Sequence, residues 1–303
     1  MVMEPESADP TTADEVFSED GDWEGVARRE IRRAELVEYD RRTIESVDLV
    51  EPGRSRGVST ATQPRAEPPR TPRPLRHRSR DATPLHIYNA DDRVQYNDLR
   101  YPWGLVCRID TNDGSFGSGV LVGPRHVLTA SHVIDWNNLD VTVEVHAHDR
   151  TARAVAIAER AGCYTKLGEV GSDEVDEDYA VLVLDQRLGD RFGWMGVRTY
   201  ESRWDERELW HSVGYADDVG GTRRPQWQRQ FYLDEDSLDY GWGRAMDTNA
   251  DLVHGQSGSP VFGFWERGPY VVAVVSAEVD DDNYCAGGTA LTSLVGGVRK
   301  AFP

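Results

Sequence analysis

From about residue 86 to the C-terminus, apolar residues occur in short runs separated by clusters of Gly, Asp and Asn. The clearest runs span residues 119–122, 141–145, 179–184 and 271–275. Short apolar runs bounded by turn-forming residues are typical of β-strands. Strands and helices do not alternate along this stretch, and only residues 294–302 are expected to form a helix. Residues 86–303 are therefore predicted to form an all-β domain of barrel or sandwich type.

The net charge of the chain limits its partners. The 303 residues include 53 acidic and 34 basic side chains, which leave a formal charge of -19. A field of this sign repels phosphate backbones, so we expect no nucleic-acid partner. No window approaches the ~20 consecutive apolar residues of a membrane helix, and the N-terminus is acidic. We therefore expect no membrane span and no Sec signal peptide, which favours the cytoplasm or a non-classical export route and leaves the localisation open.

Charge also divides the chain into segments. Residues 1–51 hold sixteen acidic residues and six arginines, whereas residues 52–80 hold eight arginines and one acidic residue. In the first segment, apolar residues from Trp23 to Val47 recur at near-helical spacing, which predicts an amphipathic helix. This helix either lies solvated on the main domain or docks a partner. We expect an acidic, partly helical segment at 1–51, an Arg/Pro-rich linker or propeptide at 52–85, and the main domain at 86–303.

The cysteines and histidines outside the motifs described next do not indicate a metal site. The three cysteines are expected to be buried thiols, because an odd number without paired spacing forms neither a disulfide framework nor a zinc site; they are Cys107, Cys163 and Cys285. His146 and His148 are predicted to lie on the surface of one strand. The acidic run at 280–282 lacks EF-hand spacing. We assign no metal and no cofactor.

Three local patterns in the β region follow one another in the order His, Asp, Ser. They are Leu-Thr-Ala-Ser-His-Val at 128–133, Asp-Glu-Asp-Tyr-Ala-Val-Leu at 176–182 and His-Gly-Gln-Ser-Gly-Ser-Pro at 254–260. An α/β-hydrolase needs Gly-x-Ser-x-Gly and a later histidine, but residue 259 is Ser and no histidine follows His254. A subtilisin arrangement would place the acid before the histidine. The order, with gaps of 46 and 79 residues, is that of two-barrel proteases.

The residue types in these patterns fit nucleophilic catalysis. A serine hydroxyl is a weak nucleophile at neutral pH, so Ser257 needs a base, which His132 would supply. Asp178, directly before an apolar strand, would orient the imidazole and stabilise its charged form. Gly255 and Gly258 allow a tight turn in which the N–H groups of Gly255 and Ser257 converge on a developing oxyanion.

The chain from residue 86 resembles the chymotrypsin-fold serine proteases, and more closely their bacterial glutamyl-endopeptidase-like branch. Around Ser257 this sequence has Gly-x-Ser-Gly-Ser-Pro, where the animal enzymes have Gly-Asp-Ser-Gly-Gly-Pro. Further matching motifs are Asn89–Val94, Tyr101–Trp103, Gly117–His132, Asp178–Val181 and Gly189–Trp194. The resemblance implies two six-stranded antiparallel β-barrels at about 86–190 and 191–303, a short C-terminal helix, and a protein or peptide substrate. A helical or disordered N-terminal extension would precede them.

The resemblance also implies where substrate binds. The substrate main chain would pair with Ser276, Ala277 and Glu278, and the other expected substrate-binding residues are Asp251, His254, Val275 and Gly288. Glutamyl endopeptidases carry a histidine where this sequence has Val275, so a preference for glutamate is not predicted. Asp251 and Glu278 would instead accept Arg or Lys. Many glutamyl-type enzymes have an aspartate at the position of Asp251 without that role, so the alternative stays open.

These observations predict a serine endopeptidase, with two alternatives. One is an intracellular regulatory or defence-associated protease with a single protein substrate; the other is a catalytically silent protease-fold module that binds partners. Because Asn89–Val94 resembles the start of a mature enzyme, the preceding linker is expected to be cut in a zymogen. A pocket for basic residues predicts self-processing after Arg76, Arg78 or Arg80. Alternatively, the linker only tethers a regulatory helix and is not cut by this enzyme.

Overall fold

Strands dominate the part of the chain that the computed structural model describes, which is residues 33–55, 68–70, 73–74, 87–88, 91–218, 222–235, 243–279 and 282–303. The strands are β1 (Glu35–Glu38), β2 (Leu49–Val50), β3 (Arg73–Pro74), β4 (Val94–Gln95), β5 (Val106–Thr111), β6 (Phe116–Gly123), β7 (His126–Thr129), β8 (Val141–Val145), β9 (Ala154–Cys163), β10 (Ala180–Leu184), β11 (Gly196–Arg198), β12 (Trp210–Gly214), β13 (Gln226–Phe231), β14 (Arg244–Thr248), β15 (Pro260–Trp265), β16 (Gly268–Val279) and β17 (Asp282–Gly287). The α-helices are α1 (Leu188–Phe192) and α2 (Gly288–Ala301), and short 3-10 helices span Trp103–Leu105, Ser131–Val133, Val175–Glu177 and Ser202–Trp204. The strands expected at the four apolar runs and the C-terminal helix are confirmed.

The first barrel consists of β5 to β10. Its strands follow the order β9-β10-β7-β6-β5-β8, and β8 pairs back with β9, which closes six antiparallel strands. Burial alternates along β8, where Val141, Val143 and Val145 are buried and the residues between them are half-buried. This period of two places one face of the strand in the barrel interior. By contrast, β10 is buried along its whole length, so it lies between the barrel interior and the residues that cover the barrel.

The second group of strands, β12 to β17, builds a second antiparallel sheet. The order is β14-β17-β16-β15-β12-β13, and β4 and β3 extend it beyond β13. The chain directly after β13 meets β14, where Asp234 and Asp247 exchange both backbone hydrogen bonds. Buried apolar residues of α2, including Leu291, Leu294 and Val298, belong to a hydrophobic cluster that contains the interior of the first barrel and also residues of the second sheet. The all-β, two-barrel fold with a C-terminal helix is therefore confirmed.

The N-terminal segment from residue 33 to 55, here called the strap, differs from its prediction. Residues Glu35–Glu38 form β1, which lies parallel to β9, and Leu49–Val50 form β2 on β11. The helix predicted there is wrong over these residues. Its near-helical spacing instead places Ile44 and Val47 against Gly297 and Gly296 of α2, because pairing with sheet edges and packing on α2 override a local periodicity.

The rest of the predicted N-terminal helix lies outside the described residues. Most of the linker at 52–85 does too, but Arg73–Pro74 form β3 on β4, and the N–H of Arg70 donates to Asp98 at 2.7 Å. The domain boundaries proposed from charge stay predictions. In the described part of the chain, no helix is long and apolar enough to cross a membrane.

One histidine prediction is wrong. His146 does not extend β8 toward the surface, because it adopts a positive φ of 46° directly after the strand and is 2% exposed. Its Nε2 lies 3.2 Å from Asn97 Oδ1, and its ring contacts that of Tyr96. Burial lowers its pKa to about 4. His146 is therefore a neutral core residue.

Candidate active site

The register of two paired strands brings His132 and Asp178 together. In the pairing of β7 with β10, Thr129 lies opposite Ala180. His132 follows β7 in a short 3-10 helix, and Asp178 directly follows another 3-10 helix shortly before β10. Because the strands are antiparallel, a residue two or three places after Thr129 meets one two places before Ala180. The register of β7 against β10 therefore explains why His132 and Asp178, which are 46 residues apart in sequence, are in contact.

Asp178 is fully buried and both of its carboxylate oxygens are hydrogen-bonded. Oδ1 accepts the backbone N–H of His132 at 2.9 Å, and Oδ2 lies 2.6 Å from His132 Nδ1. A carboxylate only accepts, so Nδ1 carries the proton and, in the neutral imidazole, Nε2 is left as an acceptor. Ser276 Oγ donates to the same Oδ2 at 2.6 Å.

The electrostatics of His132 follow from these contacts. Burial lowers the pKa of His132, but the negative charge of Asp178 and the hydrogen bond to it outweigh burial and raise the pKa above its usual 6.5. About one fifth of the imidazole side chain is exposed, whereas Asp178 has no exposed side-chain surface. The pair therefore combines an accessible base with a buried counter-charge.

The serine loop is held against the first barrel. Ser118 of β6 donates its N–H to the carbonyl of Ser257 at 2.8 Å and its Oγ to the carbonyl of Gly255 at 2.8 Å. A Cβ built on Gly258 would lie 2.7 Å from the backbone nitrogen of Ala130, two residues before His132. These contacts bring the chain around Ser257 next to the chain around His132.

The Oγ of Ser257 makes no hydrogen bond to His132 within the described residues. Contacts of this kind are often long in the absence of substrate and tighten when it binds. Two glycines in the loop have backbones that other residues rarely adopt, with φ of +89° at Gly255 and +80° at Gly258. A side chain at Gly255 would also clash with the ring of Phe116 at 2.4 Å. Glycine is therefore required at this position by both conformation and space.

The backbone N–H groups of Gly255 and Ser257 have no acceptor within the part of the chain that the structure describes. The neighbouring N–H groups do: Gln256 donates to Val253 at 3.1 Å and Gly258 donates to Val275 at 2.8 Å. Two unpaired donors beside a serine hydroxyl form a site that can accept a negatively charged oxygen.

A strand edge lies open beside this loop. β16 pairs with β15 as far as Val274, opposite Pro260, and its pairing with β17 is interrupted between Val275 and Glu278. Ser276 is buried, whereas Ala277 and Glu278 are half-buried. The main chain of this segment can therefore pair with an extended peptide.

The other predicted substrate-binding residues are placed differently. Val275 is fully buried in an apolar cluster, and its backbone is bonded to the serine loop through Gly258 and Ser259. His254 is exposed on the loop. Gly288 begins α2 beyond the pairing of Gly287 with Ala273, so it lies toward the other end of β16 and is not brought to the open edge.

Asp251 has partners inside the protein. It is 2% exposed, and its two carboxylate oxygens accept the backbone N–H groups of Tyr88 at 2.8 Å and Asp92 at 3.0 Å. Burial raises its pKa to about 6, against the effect of these two hydrogen bonds. Asp251 therefore anchors the segment before the first barrel, and the predicted preference for basic residues now depends on Glu278 alone.

The sequence did not single out three residues that support the loop. Ser118 and Gln256 lie inside motifs that were recognised for other reasons, and Arg93 belongs to the motif at 89–94. The side-chain role of Ser276 was also missed, because only its main chain was considered. Among the described residues, no group of three His, Cys, Asp or Glu side chains could hold a metal ion.

Comparison with known proteins identifies a family and a shared fold. Residues 117–268 match the family described as a trypsin-like peptidase domain. The fold is similar to that of a Glu endopeptidase solved in complex with MPD, with 20% identity and a TM-score of 0.58 over 71% of this chain and 99% of that chain. It is also similar to the protease Anisep from Arthrobacter nicotinovorans, with 19% identity and a TM-score of 0.51 over 66% of this chain and 97% of that one. At these identities the likeness shows a shared fold. No curated protein sequence gave a significant match.

Proposed function

Because the chain belongs to the trypsin-like peptidase family, we propose that it is a serine endopeptidase that uses Ser257, His132 and Asp178. The observation that carries this proposal is the buried carboxylate of Asp178, which accepts both the backbone and the ring N–H of His132. A structural histidine does not need this arrangement, whereas a general base does, because its free nitrogen must stay unprotonated and aimed at the nucleophile.

The reaction proceeds through an acyl-enzyme. Ser257 Oγ attacks the carbonyl carbon of the scissile bond while His132 Nε2 takes the hydroxyl proton. The imidazolium then gives this proton to the leaving nitrogen, the C–N bond breaks, and the amine product departs. A water molecule attacks the resulting ester, His132 takes one of its protons, and Ser257 Oγ recovers a proton when the acid product leaves.

Two features stabilise charge during these steps. The tetrahedral oxyanion is bound by the N–H groups of Gly255 and Ser257, each donor contributing roughly 3 kcal/mol by analogy with measured cases. The imidazolium is stabilised by Asp178, and Ser276 Oγ supplies a further donor to that carboxylate. The buried negative charge is thus compensated by three hydrogen bonds before the reaction begins.

The substrate is proposed to bind as an extended strand along Ser276, Ala277 and Glu278. Main-chain pairing gives affinity without selecting a sequence, so specificity must come from side chains beside the strand. Glu278 is half-buried there and would favour an Arg or Lys side chain. Profiling with a peptide library tests this preference; a profile without basic residues at the cleavage site, or one unchanged by Glu278→Gln, overturns it.

Labelling of the full-length protein with a fluorophosphonate tests the enzyme against the catalytically silent alternative. We expect covalent labelling of the wild-type protein and none of Ser257→Ala, with Ser259→Ala as the matched control that keeps the label. Intact wild-type protein that is not labelled would favour the binding module. An intracellular protease with one protein substrate remains the alternative within the same chemistry, and a profile restricted to one long sequence would support it.

A further inference from the structure

A buried arginine lies behind the serine loop. The Arg93 side chain has no exposed surface, and its guanidinium contacts the nearby Asp91 and two residues that are distant in sequence, Asp218 and Gln256. It binds both carboxylate oxygens of Asp91, at 2.9 and 2.7 Å, and donates from Nη2 to Asp218 at 2.6 Å and from Nη1 to Gln256 Oε1 at 3.1 Å. Gln256 directly precedes the proposed nucleophile.

The contact with Gln256 bears on the first of the two oxyanion donors. Gln256 Oε1 also accepts the N–H of Val253 at 3.0 Å, so the side chain closes the loop on itself. The carbonyl of Gln256 accepts the N–H of Ser259 at 2.8 Å. In a trans peptide the C=O and the following N–H point in opposite directions, so this bond aims the N–H of Ser257 away from the loop.

The contact with Asp218 bears on the second donor. The residue before it, Asp217, donates its N–H to the carbonyl of His254 at 3.0 Å. By the same peptide geometry, this bond aims the N–H of Gly255 away from Asp217. Holding the carboxylate of Asp218 therefore fixes the segment that orients Gly255.

We propose that Arg93 is a positioning residue that sets both oxyanion donors, acting through Gln256 on Ser257 and through the Asp217–Asp218 segment on Gly255. This inference rests on the proposed function and assigns a role to a residue that touches no reacting atom. The Arg93 guanidinium is charged at any physiological pH and is present before any cut in the linker. The oxyanion site therefore does not depend on a new N-terminus formed by cutting, so we expect the uncut protein to be active, unlike the zymogen that the sequence predicts.

Kinetics of full-length Arg93→Met test the role. The substrate is the peptide that the wild-type protein cleaves fastest from a mixed library, and the probe is the aldehyde of the same sequence, whose adduct with Ser257 places an oxyanion in the site. We expect kcat to fall about 10- to 100-fold, less than the ~10²- to 10³-fold loss of a whole donor, with KM nearly unchanged. Affinity for the aldehyde should fall by the same factor as kcat/KM.

Two further variants separate positioning from folding. Arg93→Lys keeps the positive charge but cannot hydrogen-bond Asp91, Asp218 and Gln256 at the same time, so its kcat should lie between those of Arg93→Met and the wild type. Gln256→Met keeps both carboxylate partners of Arg93 and should lower kcat and aldehyde affinity together, which decides the matter if Arg93→Met does not fold. Arg187→Met, which loses an exposed ion pair with Asp190, is the matched control and should leave both unchanged.

The outcomes are distinct. A wild-type protein without Ser257-dependent activity overturns the proposed function itself. An active wild type with folded Arg93 and Gln256 variants of unchanged kcat overturns the positioning role alone. An equal loss of binding for the aldehyde and for the carboxylic acid product of the same sequence would indicate a general structural role and would also overturn it.

Discussion

At the scale of single residues, the candidate site depends on how one buried charge is compensated. Asp178 has no exposed surface and accepts hydrogen bonds from His132 and Ser276. A buried carboxylate without such partners would be costly, so these contacts account for its presence in the core. They also hold the imidazole in the orientation that the proposed role of His132 as a general base requires.

Substitution of the three residues should separate the loss of the nucleophile and base from the loss of orientation. We expect Ser257→Ala and His132→Ala each to lower kcat by roughly 10⁴- to 10⁶-fold, since members of one catalytic unit fail together. Asp178→Asn should cost about 10⁴-fold, because the imidazole adopts the wrong tautomer. Steady-state kinetics and thermal melting of each variant provide the measurement. Full activity in any of the three folded variants contradicts the assignment.

At the scale of elements, the strap is attached along its whole described length. β1 lies on β9 of the first barrel, the N–H of Val47 donates to Ser293 of α2 at 2.9 Å, and β2 lies on β11. Arg41 forms an ion pair with Glu177, the residue before Asp178. The strap therefore joins both barrels and contacts the chain beside the site, although it lies outside the residues matched by the family.

This attachment changes what cutting the linker would do. If the pocket accepts basic residues, self-processing should occur after Arg76, Arg78 or Arg80 and be blocked by Ser257→Ala. We expect the strap fragment to stay bound after the cut, because its strand pairing and α2 contacts do not involve the linker. Mass spectrometry should identify the new termini, and size-exclusion chromatography without denaturant should keep the two fragments together.

The linker prediction has a matched control. A variant with Arg76, Arg78 and Arg80 all replaced by Gln should stay uncut and keep the wild-type kcat, since the oxyanion donors are set by contacts within the chain. An intact N-terminus after long incubation of active wild-type protein contradicts self-processing. Cleavage after a non-basic residue contradicts the basic pocket, and loss of the strap fragment contradicts its role as a permanent part of the fold.

At the scale of the whole molecule, the three cysteine thiols form no disulfide bonds. The predicted state of the cysteines is confirmed: Cys107, Cys163 and Cys285 are free and buried. Burial raises the pKa of Cys163 to about 12 and those of the other two above their usual value. Activity and melting temperature should therefore be the same with and without dithiothreitol. A loss of either in reducing buffer would contradict this prediction.

Acid should destabilise the molecule through its buried histidines. Burial lowers the pKa of His126 to about 3 and those of His146 and His211 to about 4. Between about pH 4 and pH 7 the unfolded chain then binds protons that the folded chain does not, so the free energy of unfolding falls as the pH is lowered. Groups with a raised pKa act oppositely, because the folded state then binds protons more readily than the unfolded chain; they are Asp251, with a pKa of about 6, and His132, Asp92, Asp110 and Asp217. We expect the three buried histidines, whose pKa values fall to about 3 or 4, to decide the sign.

Urea unfolding at several pH values measures this dependence. His211 Nδ1 accepts from Trp227 Nε1 at 3.2 Å, and His211→Asn keeps an acceptor while removing the titrating ring. The slope of unfolding free energy against pH should become smaller in this variant. His254→Asn, at an exposed position, should leave the slope as in the wild type. A stability that rises on acidification from pH 7 to 5 would show that the histidines do not control it.

Local patterns determined much of this protein. The short apolar runs specify strands because side-chain alternation and turn residues act over a few residues, and they predicted β6, β8, β10 and β16. The order and flanks of the His, Asp and Ser motifs identified the three candidate catalytic residues, since each motif carries its own turn or strand start. Those inferences needed no knowledge of which segments lie together.

The partners of buried charges were decided only in three dimensions. Asp251 is satisfied by the N–H of Tyr88 and Gln256 by Arg93, each across 163 residues of chain. Contacts at such separation leave no periodic trace in the sequence, because they depend on how loops meet after both sheets have formed. The strap shows the same limit: its helical spacing was real, but sheet edges and α2 offered its apolar side chains and its backbone better partners than a helix could.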